Sequence, residues 1–397
     1  MTGDAPRRRH LIFVGGTSEP GGLHVHTAEV AQACAALGHR VTILCPSINY
    51  FEGLIYDPRV VVECIPPLDE GRWRERMIRW LRGASFYPRP DIVFCRGSFA
   101  ETQIVDLATA AGLARRLFAI EHRPWENPWR WRMSKTQYGR LSGLLLHRSI
   151  GVSDEIKASA VNEFRFPARK IRTCLNWVHP EFHPPTDQQR RDARAELAIT
   201  PSALLIGYVG RLAPEKRIDV LLQAFAMLAG RSEPPLELAI IGDGWKRQAL
   251  TQLALDLGIT DRVRFLGWST TPSTILRACD LFVLPSLVEG FPLALMEAMA
   301  SGCPCLAHPM SSTTRLIESG KTGMLIDMNS AEGLAAGLAE LIGKGPESRG
   351  RMGAAAAARI AAEFSRERRL PDILDALEVE ASALPQPGPR LLAFNGS

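Results

Sequence analysis

The chain contains 397 residues, of which 46% are hydrophobic and 22% charged, and its formal net charge is +5. This composition is that of an ordinary soluble globular protein, and the length predicts two domains of roughly 180 residues each. It argues against an integral membrane protein, because no apolar run approaches the roughly 20 residues that span a bilayer.

Cysteine usage and the first residues indicate the compartment. The eight cysteines include no Cys-x-x-Cys pair, and Cys303 and Cys305 have no second pair that would complete a zinc site. Arg7–Arg9 precede only a handful of apolar residues, which favours a first strand over a signal peptide. We therefore expect a cytoplasmic protein with reduced thiols.

Charge is unevenly distributed along the chain. Residues 1–183 contain 25 Lys and Arg against 18 Asp and Glu, a net charge of +7, which leaves −2 for the remainder. The first half is therefore expected to face an anionic partner. We do not expect that partner to be nucleic acid.

The first predicted elements are those of a doubly wound parallel sheet. Leu11–Val14 reads as a buried strand, His24–Leu37 as a helix and Arg40–Cys45 as the next strand. The glycines before the helix lack dinucleotide-binding spacing, and the second strand ends without an acid for a ribose, so NAD is not expected. Gly21 and Gly22 either let a phosphate approach the backbone closely or form a plain tight turn.

Two segments of the first half combine tryptophan with arginine. Residues 72–82 predict a helix with an apolar stripe opposite several arginines, the composition of a helix that lies on an anionic membrane surface. The same stripe could equally pack on the domain's own core. Residues 125–132 add three tryptophans and two arginines, which suit a membrane or sugar-binding surface as well as a structural loop.

His122 is a candidate site residue because of its place in the predicted sheet. Asp91–Cys95 and Leu117–Glu121 read as further buried strands, and Ser149–Ser153 as another, followed by the helix Asp154–Glu163. His122 directly follows the second of these strands, at the edge of an open sheet where ligands bind. A lone histidine is often only a packed structural residue, but this position favours a functional role.

Prolines and charges mark the boundary between the domains. The proline cluster at 180–185 leads into the charged run Asp187–Glu196, and together they indicate an interdomain linker. We therefore predict an N-terminal domain over residues 1–183 and a C-terminal domain over residues 184–364. Residues 381–397, with three prolines, are expected to form a loose tail.

The second domain begins with a strand and a loop that contains two cations. Leu204–Val209 reads as a buried strand and Ile218–Leu228 as a helix, with Arg211 and Lys216 between them at the strand's carboxyl end. The guanidinium and the ammonium could together neutralise a diphosphate. The alternative is a helix-capping loop with solvated charges.

The most informative stretch runs from Cys279 to Gly302. Leu281–Leu284 reads as a buried strand, and Pro292 opens a helix that is apolar on every side and therefore buried. Glu297 lies in that buried surface, where an ionised carboxylate needs dedicated hydrogen-bond donors. Glu289 lies on the loop between strand and helix, at the edge of the sheet where ligands bind.

These two carboxylates and the helix start between them suit one kind of ligand. The N–H groups at the start of the helix, beside Gly290, would hold an anion, and Glu289 and Glu297 would accept hydrogen bonds from hydroxyls on either side of it. A nucleotide sugar has this layout of diol, diphosphate and sugar. The alternative is that Glu297 pairs with a structural arginine and that Glu289 is a solvated loop residue.

The remaining predicted elements complete a second parallel sheet. Its further strands are Leu238–Ile241, Val263–Leu266 and Cys305–Ala307. Met310–Arg315 is expected to be a loop. The predicted C-terminal helices are Ala331–Ile342, Met352–Phe364 and Arg366–Leu377.

Two motifs resemble those of a known family. Glu289-Gly-Phe-Pro-Leu-x-x-x-Glu297 resembles the Glu-x7-Glu signature of retaining glycosyltransferases of the GT-B fold, family 4, and Gly210-Arg-Leu-x-Pro-Glu-Lys216 resembles their donor-phosphate loop. The resemblance covers roughly residues 10–378. It implies an α/β fold of two Rossmann-like doubly wound domains that face a cleft, with the C-terminal helix, residues 365–380, crossing back to the first domain.

The resemblance also implies a reaction and a set of site residues. It implies that a sugar is transferred with retention from a UDP- or GDP-sugar without a further cofactor, and the lack of an Asp-x-Asp motif favours a metal-independent enzyme. Glu297 would bind the ribose hydroxyls, and Glu289 and His122 would contact the transferred sugar. The implied catalytic residues are Glu289, His122, Lys216 and Arg211. The implied donor-binding residues are Gly21, Gly22, Arg211, Lys216, Gly290, Phe291, Pro292, Leu293 and Glu297.

The sequence departs from the family's pattern at two places. Trp177 and His179 stand where related enzymes usually have the glycine and the acid of Asn-Gly-Val-Asp, so we assign no ligand role there. The Ser311-Ser312 pair and Arg315 stand where family members often have a glycine pair and the acid of Pro-Glu. The second departure lies close to the donor sugar in the family's architecture, so the identity of the sugar is left open.

The acceptor and two competing functions are also left open. The charge of the first half and residues 72–82 favour a glycan or lipid-linked acceptor, with the protein in the cytoplasm or peripheral on the inner face of the membrane. The alternative is a catalytically inactive nucleotide-sugar-binding protein that acts as a partner or membrane-surface module. A third reading is a phosphorylase or an epimerase, although no motif marks the lysine that a pyridoxal-dependent phosphorylase needs.

Overall fold

The chain forms two compact units. A computed structural model describes residues 8–15, 21–48, 51, 53–65, 73–83, 89–96, 104–122, 134–230, 232–269, 271–381 and 386. Unit 1 comprises Met1–Asn176 and Glu367–Ser397, and unit 2 comprises Trp177–Arg366. Residues 125–132 lie outside the described residues, as does the predicted tail apart from residues 381 and 386.

Unit 1 is built on a parallel sheet. Its described strands are β1 (His10–Gly15), β2 (Arg40–Cys45), β3 (Val60–Cys64), β4 (Asp91–Arg96), β5 (Arg116–Glu121), β6 (Arg148–Gly151) and β7 (Ile171–Thr173), in the order β3-β2-β1-β4-β5-β6-β7. Its described helices are α1 (Gly22–Ala36), α2 (Trp73–Gly83), α3 (Ile104–Leu113), α4 (Lys135–Leu145), α5 (Asp154–Asn162) and, after unit 2 in the chain, α14 (Arg366–Ala376). Helices cover both faces of a parallel sheet, which is why β1 and β5 are buried along nearly their whole length.

The order of the strands in unit 1 reverses between β1 and β4. β1 pairs with β2 on one side and with β4 on the other. In an open α/β sheet such a reversal leaves a crevice at the carboxyl ends of the two strands, where ligands bind. Gly21 and α1 follow β1 at this edge, and His122 follows β5, which lies beside β4.

The described side chains of α2 show where its apolar stripe lies. Met77 and Leu81 are 1% and 0% exposed in the core of unit 1, whereas Arg79 and Arg82 are exposed. At these two positions the apolar stripe packs on the protein's own core. Met77 and Leu81 are therefore not available to contact a membrane, which was one of the two alternatives for residues 72–82. Among the residues the structure describes, no helix combines the length and the apolar character needed to cross a bilayer.

Residues from both ends of the chain meet at the amino edge of the unit 1 sheet. The Arg9 guanidinium pairs with Asp91, which is buried, and donates hydrogen bonds to the carbonyls of Leu377 and Glu378. The Glu378 carboxylate pairs with Arg116 at the start of β5. The segment after α14 is therefore anchored to the strands of unit 1.

Unit 2 contains a second parallel sheet. Its described strands are β8 (Leu204–Val209), β9 (Leu236–Ile241), β10 (Val263–Gly267), β11 (Leu281–Leu284), β12 (Cys305–Ala307) and β13 (Met324–Leu325), in the order β10-β9-β8-β11-β12-β13. Its described helices are α6 (Asp187–Glu196), α7 (Ile218–Ala229), α8 (Arg247–Asp256), α9 (Pro272–Ala278), α10 (Leu293–Ala300), α11 (Ser311–Leu316), α12 (Ala331–Gly343) and α13 (Gly345–Glu363). The order reverses between β8 and β11, so the loops after these strands emerge side by side.

The charged run that was predicted to be a linker is the helix α6. The helix begins with a capping box, in which Thr186 and Gln189 satisfy each other's backbone N–H groups. The guanidinium groups of Arg190 and Arg194 lie 2.6 and 3.0 Å from the carboxylate of Asp280. The charges of this run are therefore partly structural contacts, and α6 belongs to the body of unit 2.

Two further predictions need correction. Met310–Arg315, predicted as a loop, contains most of α11, because the Thr313 hydroxyl accepts a hydrogen bond from the Met310 N–H and donates one to the His308 carbonyl. The helix predicted from Met352 begins earlier, at the start of α13. Pro346 fits the first turn of that helix, where its missing N–H has no partner to lose.

Candidate active site

Two loops meet at the carboxyl edge of the unit 2 sheet. The loop after β8 contains Arg211 and Lys216, and the loop after β11 contains Glu289. β8 and β11 are neighbours, since Ile206 pairs with Leu281. The order of the buried strands thus brings together two loops that are far apart in the sequence.

Close backbone packing fixes the loop after β8. Gly242 has φ 129°, and a Cβ at this position would lie 1.9 Å from the Gly210 carbonyl oxygen, so only glycine fits. The N–H of Leu212 donates to the carbonyl of Asp243 over 2.9 Å. The backbone on either side of Arg211 is therefore held against the loop after β9.

Arg211 is held by contacts within its own loop. Its Nη2 lies 2.5 Å from Oε1 of Glu215, and the Tyr208 hydroxyl donates to the Arg211 carbonyl over 3.2 Å. Burial raises the pKa of Tyr208 well above its ordinary value, and the carboxylates of Glu289 and Glu215 add to this effect. Tyr208 therefore stays protonated and remains a donor to the loop.

Lys216 and Glu289 form an ion pair across the two loops. Nζ and Oε1 are 2.5 Å apart, and the side chains are only 13% and 11% exposed. The next residue, Arg217, has φ 53°, and its guanidinium donates to the carbonyls of Met328 and Asn329 over 2.8 Å each. These bonds fix the end of the loop after β8 and so position the Lys216 ammonium.

The helix α10 begins beside this ion pair in the chain. Pro292 is its N-cap residue, and a proline side chain offers no acceptor to the N–H groups of the first turn. The first intrahelical bond runs from the Met296 N–H to the Pro292 carbonyl, so the N–H groups that precede Met296 have no acceptor within the helix. These groups and the positive end of the helix dipole can bind an anion.

Glu297 lies on the same helix and is 7% exposed, as the sequence predicted. Phe291, which leads into the helix, is buried, with its ring centroid 5.7 Å from that of Phe364. The buried carboxylate of Glu297 and the largely shielded carboxylate of Glu289 therefore lie on either side of the helix start along the chain.

A hydroxyl for which we predicted no role from the sequence lies against the loop after β11. Ser312 is buried, and its Oγ lies 3.5 Å from the Glu289 carbonyl oxygen. The residue lies on α11, for which the sequence predicted a loop, so no helical periodicity indicated its direction. The only feature of the sequence that marked Ser312 was that it stands where the family often has a glycine pair.

In unit 1, imidazole rings gather at the carboxyl edge of the sheet. His24 and His26 lie in the first turns of α1, and the ring centroids of His26 and His122 are 4.9 Å apart. Burial lowers the pKa of His24 to about 4 and that of His26 to about 3. Burial also lowers the pKa of His122 well below its ordinary value, and the other two rings add to this effect. His122 is therefore neutral near neutral pH and can exchange a hydrogen bond with a hydroxyl.

The predicted glycine pair lies at the start of α1. The Gly21 carbonyl accepts the N–H of His24 over 2.9 Å, and a Cβ at Gly21 would meet no atom of the described residues within 4 Å. The part of the chain that the structure describes therefore leaves space beside Gly21. In neither unit do the described residues place three His, Cys, Asp or Glu side chains where they could hold a metal ion.

The structure thus distributes the predicted site residues over the two units. Gly21, Gly22 and His122 lie at the carboxyl edge of the unit 1 sheet. The members of the predicted set in unit 2 lie in the two loops and in α10, and they are Arg211, Lys216, Glu289, Gly290, Phe291, Pro292, Leu293 and Glu297.

Two family profiles match this chain. The profile described as Glycosyl transferases group 1 matches residues 189–359, and the profile described as Glycosyltransferase Family 4 matches residues 20–182. The two matches together cover most of both sheets, and they meet near the boundary between the units.

Two curated proteins illustrate the similarity. The D-inositol 3-phosphate glycosyltransferase of Corynebacterium urealyticum is 34% identical over 365 residues, which cover 82% of this chain and 84% of that protein. The protein of the same name from Nocardia farcinica is 38% identical over 186 residues, 44% of this chain and 40% of that protein. The matches to other curated relatives likewise span only about half of their length.

The fold is also that of a solved structure. HepE of Anabaena, crystallised in complex with UDP and glucose, has a TM-score of 0.75 and 18% sequence identity, and the match covers 94% of this chain and 100% of that chain. This likeness shows the two-unit fold, and the 34% identity over most of both chains shows the family. The chain therefore belongs to the group 1 glycosyltransferases of the GT-B fold.

Proposed function

We propose that the protein is a retaining glycosyltransferase that moves a sugar from a UDP- or GDP-sugar to an acceptor. The main support is the ion pair of Lys216 and Glu289 beside the start of α10. It combines a cation, the N–H groups at the start of a helix and a carboxylate at one edge of a sheet, which suits a diphosphate linked to a sugar. The complex of HepE with UDP and glucose agrees with a donor of this kind.

Unit 2 would bind the donor. Arg211 and Lys216 would contact the diphosphate oxygens, and the N–H groups over Gly290–Leu293 would complete the anion site. Glu297 would accept hydrogen bonds from the ribose hydroxyls. Glu289 would do the same for the hydroxyls of the transferred sugar.

The chemistry would rest on stabilising the leaving group. Transfer breaks the bond between the anomeric carbon and the β-phosphate oxygen, and it forms a bond from the same carbon to the acceptor oxygen. Negative charge grows on the diphosphate, where Arg211, Lys216 and the start of α10 would stabilise it. For metal-independent retention we favour attack from the face that the diphosphate leaves, with the donor phosphate accepting the acceptor's proton.

Unit 1 would supply contacts to the sugar and to the acceptor. A neutral His122 can hydrogen-bond a sugar hydroxyl, and the space that the described residues leave beside Gly21, together with the neighbouring Gly22, would admit a phosphate. The net charge of +7 over residues 1–183 favours an anionic acceptor, which would be lipid-linked or part of a cell-surface glycan.

A membrane association would then depend on charge. Arg79 and Arg82 of α2 are exposed, whereas Met77 and Leu81 are committed to the core, so the protein would be held at the inner face by attraction without insertion. Flotation with anionic vesicles should recover the protein at low salt and not at high salt. Replacing both arginines by glutamine should weaken this binding. Protein that stays soluble at low salt would contradict the idea.

A screen of UDP- and GDP-sugars tests the transfer itself. Mass spectrometry of the purified protein identifies any nucleotide sugar that co-purifies, and then follows cleavage of each donor and formation of product. The coupling constant of the anomeric proton distinguishes retention from inversion. We expect one donor to be cleaved with retention and the Lys216→Ala variant to be much slower. An inverted product would refute the proposed stereochemistry.

A nucleotide-sugar-binding protein without transferase activity is the second candidate. The observation behind it is Trp177, which stands in place of the family's glycine and is 4% exposed. The adjacent Val178 N–H donates to the Phe364 carbonyl over 3.1 Å, so this segment contributes to packing. Tight donor binding without cleavage of any donor, with or without acceptor, would favour this candidate.

A further inference from the structure

Both cations that we assign to the diphosphate already contact a carboxylate in the protein. Lys216 pairs with Glu289 and Arg211 pairs with Glu215, each over 2.5 Å. The Lys216 pair is the better shielded, since both members of the Arg211 pair are 29% exposed. Shielded charges interact more strongly than charges in water. An incoming diphosphate therefore meets a lysine whose charge is already compensated.

We propose that Glu289 is an exchangeable counter-ion, which the donor diphosphate replaces on Lys216 and which then contacts the sugar. The inference rests on the proposed function, because it requires a diphosphate to bind at Lys216. It goes beyond that function because it gives Glu289 a role in the protein before any sugar has arrived.

The charges determine the sign of the effect. A Glu289→Gln variant would leave Lys216 shielded from water and without its carboxylate, which raises the free energy of the unliganded protein. A diphosphate would restore the missing negative charge on binding. In the wild type the lysine is already compensated, and the Glu289 carboxylate repels the diphosphate at close range. Both effects make Glu289 weaken the binding of a nucleoside diphosphate that has no sugar.

The exchange links the two parts of the donor. Glu289 is free to contact a sugar only when a diphosphate has taken its place on Lys216, so each part of the donor strengthens the binding of the other. After transfer the sugar no longer holds the carboxylate. Glu289 then returns to Lys216 and displaces the product nucleotide, which favours product release.

Calorimetric titration with UDP and with GDP tests this exchange. We expect the nucleotide that binds the wild type to bind Glu289→Gln about tenfold more tightly. This gain should be smaller when the same change is made in a Lys216→Met background, because only the repulsion between Glu289 and the diphosphate then remains. Glu237→Gln is the matched control, because Glu237 is a shielded partner of Arg264 at the opposite, amino end of β9. It should leave the affinity unchanged.

The outcomes separate the inference from the function on which it rests. Equal or weaker nucleotide binding by Glu289→Gln, or an equal gain in the Lys216→Met background, overturns the exchange and leaves the proposed function standing. A wild type that binds neither UDP nor GDP overturns both. Glu289→Asp, which keeps the charge but shortens its reach, is the second variant should Glu289→Gln not fold. The nucleotide should bind Glu289→Asp more tightly than the wild type, by less than about tenfold. An affinity equal to that of the wild type overturns the exchange.

Discussion

Acid should destabilise unit 1 through its buried histidines. Burial lowers the pKa of His24 to about 4 and that of His26 to about 3, from an ordinary value of 6.5. Between these values and 6.5 the unfolded chain binds protons that the folded unit does not bind. The free energy of unfolding of unit 1 is therefore unaffected by these rings above pH 6.5, and it falls as the pH falls below 6.5.

The size of the effect follows from the same values. Each pH unit below 6.5 removes about 1.4 kcal/mol of stability for each ring, so at about pH 5 the two rings together cost about 4 kcal/mol. A domain has a free energy of unfolding of only about 5–15 kcal/mol. Unit 1 should therefore lose a large part of its stability at a pH where an exposed histidine would have little effect.

Methionine oxidation measures this effect in each unit separately. Hydrogen peroxide oxidises a methionine once it becomes exposed, so oxidation against urea concentration reports the unfolding of its own unit. Met77 in unit 1 and Met296 in unit 2 are both buried. In the His26→Gln variant, the fall of the unfolding free energy of unit 1 with pH should be less steep by about 1.4 kcal/mol per pH unit. His183→Gln, at an exposed position in unit 2, controls for the chemical change.

Two results would refute this reasoning. One is a free energy of unfolding of unit 1 that does not change between neutral pH and about pH 5, since burial of neutral rings must produce a proton difference. The other is an identical dependence on pH in the wild type and in His26→Gln.

Three further predictions concern unit 2. Glu297→Ala should weaken nucleotide binding, measured by calorimetry, more than it slows turnover at saturating donor, and an unchanged affinity would count against its role. Lys216→Ala should slow donor cleavage by about 3 kcal/mol, because the leaving diphosphate loses a cation, and turnover near the wild-type rate would contradict this. Gly242→Ala should destabilise unit 2 by about 3 kcal/mol in urea, because its Cβ would lie 1.9 Å from the Gly210 oxygen. Gly230→Ala, whose Cβ would meet no atom of the described residues within 4 Å, is the control for that strain.

Buried parallel strands were the part of the fold most readable from sequence. The bounds of β8, β11 and β12 agree with the prediction, because each is a continuous apolar run and such runs are typical of strands covered on both faces. Sequence also indicated that Lys216 and Glu289 share one edge of the sheet. It could not show that they form an ion pair, because that depends on how two loops 73 residues apart are held.

The errors arose where a distant partner decides the structure. Asp187–Glu196 is polar along its length and follows prolines, which locally indicates a linker, but Asp280 binds two of its arginines and makes it part of unit 2. The stripe of α2 was ambiguous for a related reason. An apolar stripe has the same periodicity whether it faces a core or a membrane, and only the tertiary environment of Met77 and Leu81 distinguishes the two.

The way in which Arg9 contacts the carbonyls of Leu377 and Glu378 affects the order of events during translation. The ribosome synthesises all of unit 2 before the segment of unit 1 that begins at Glu367. Unit 2 can therefore fold before unit 1 has the contacts that Arg9 makes with this segment. A nascent chain that stops at residue 366 would have one finished unit and one with unfilled contacts. The contacts of Arg9 with Leu377 and Glu378 therefore form only after unit 2 has left the ribosome.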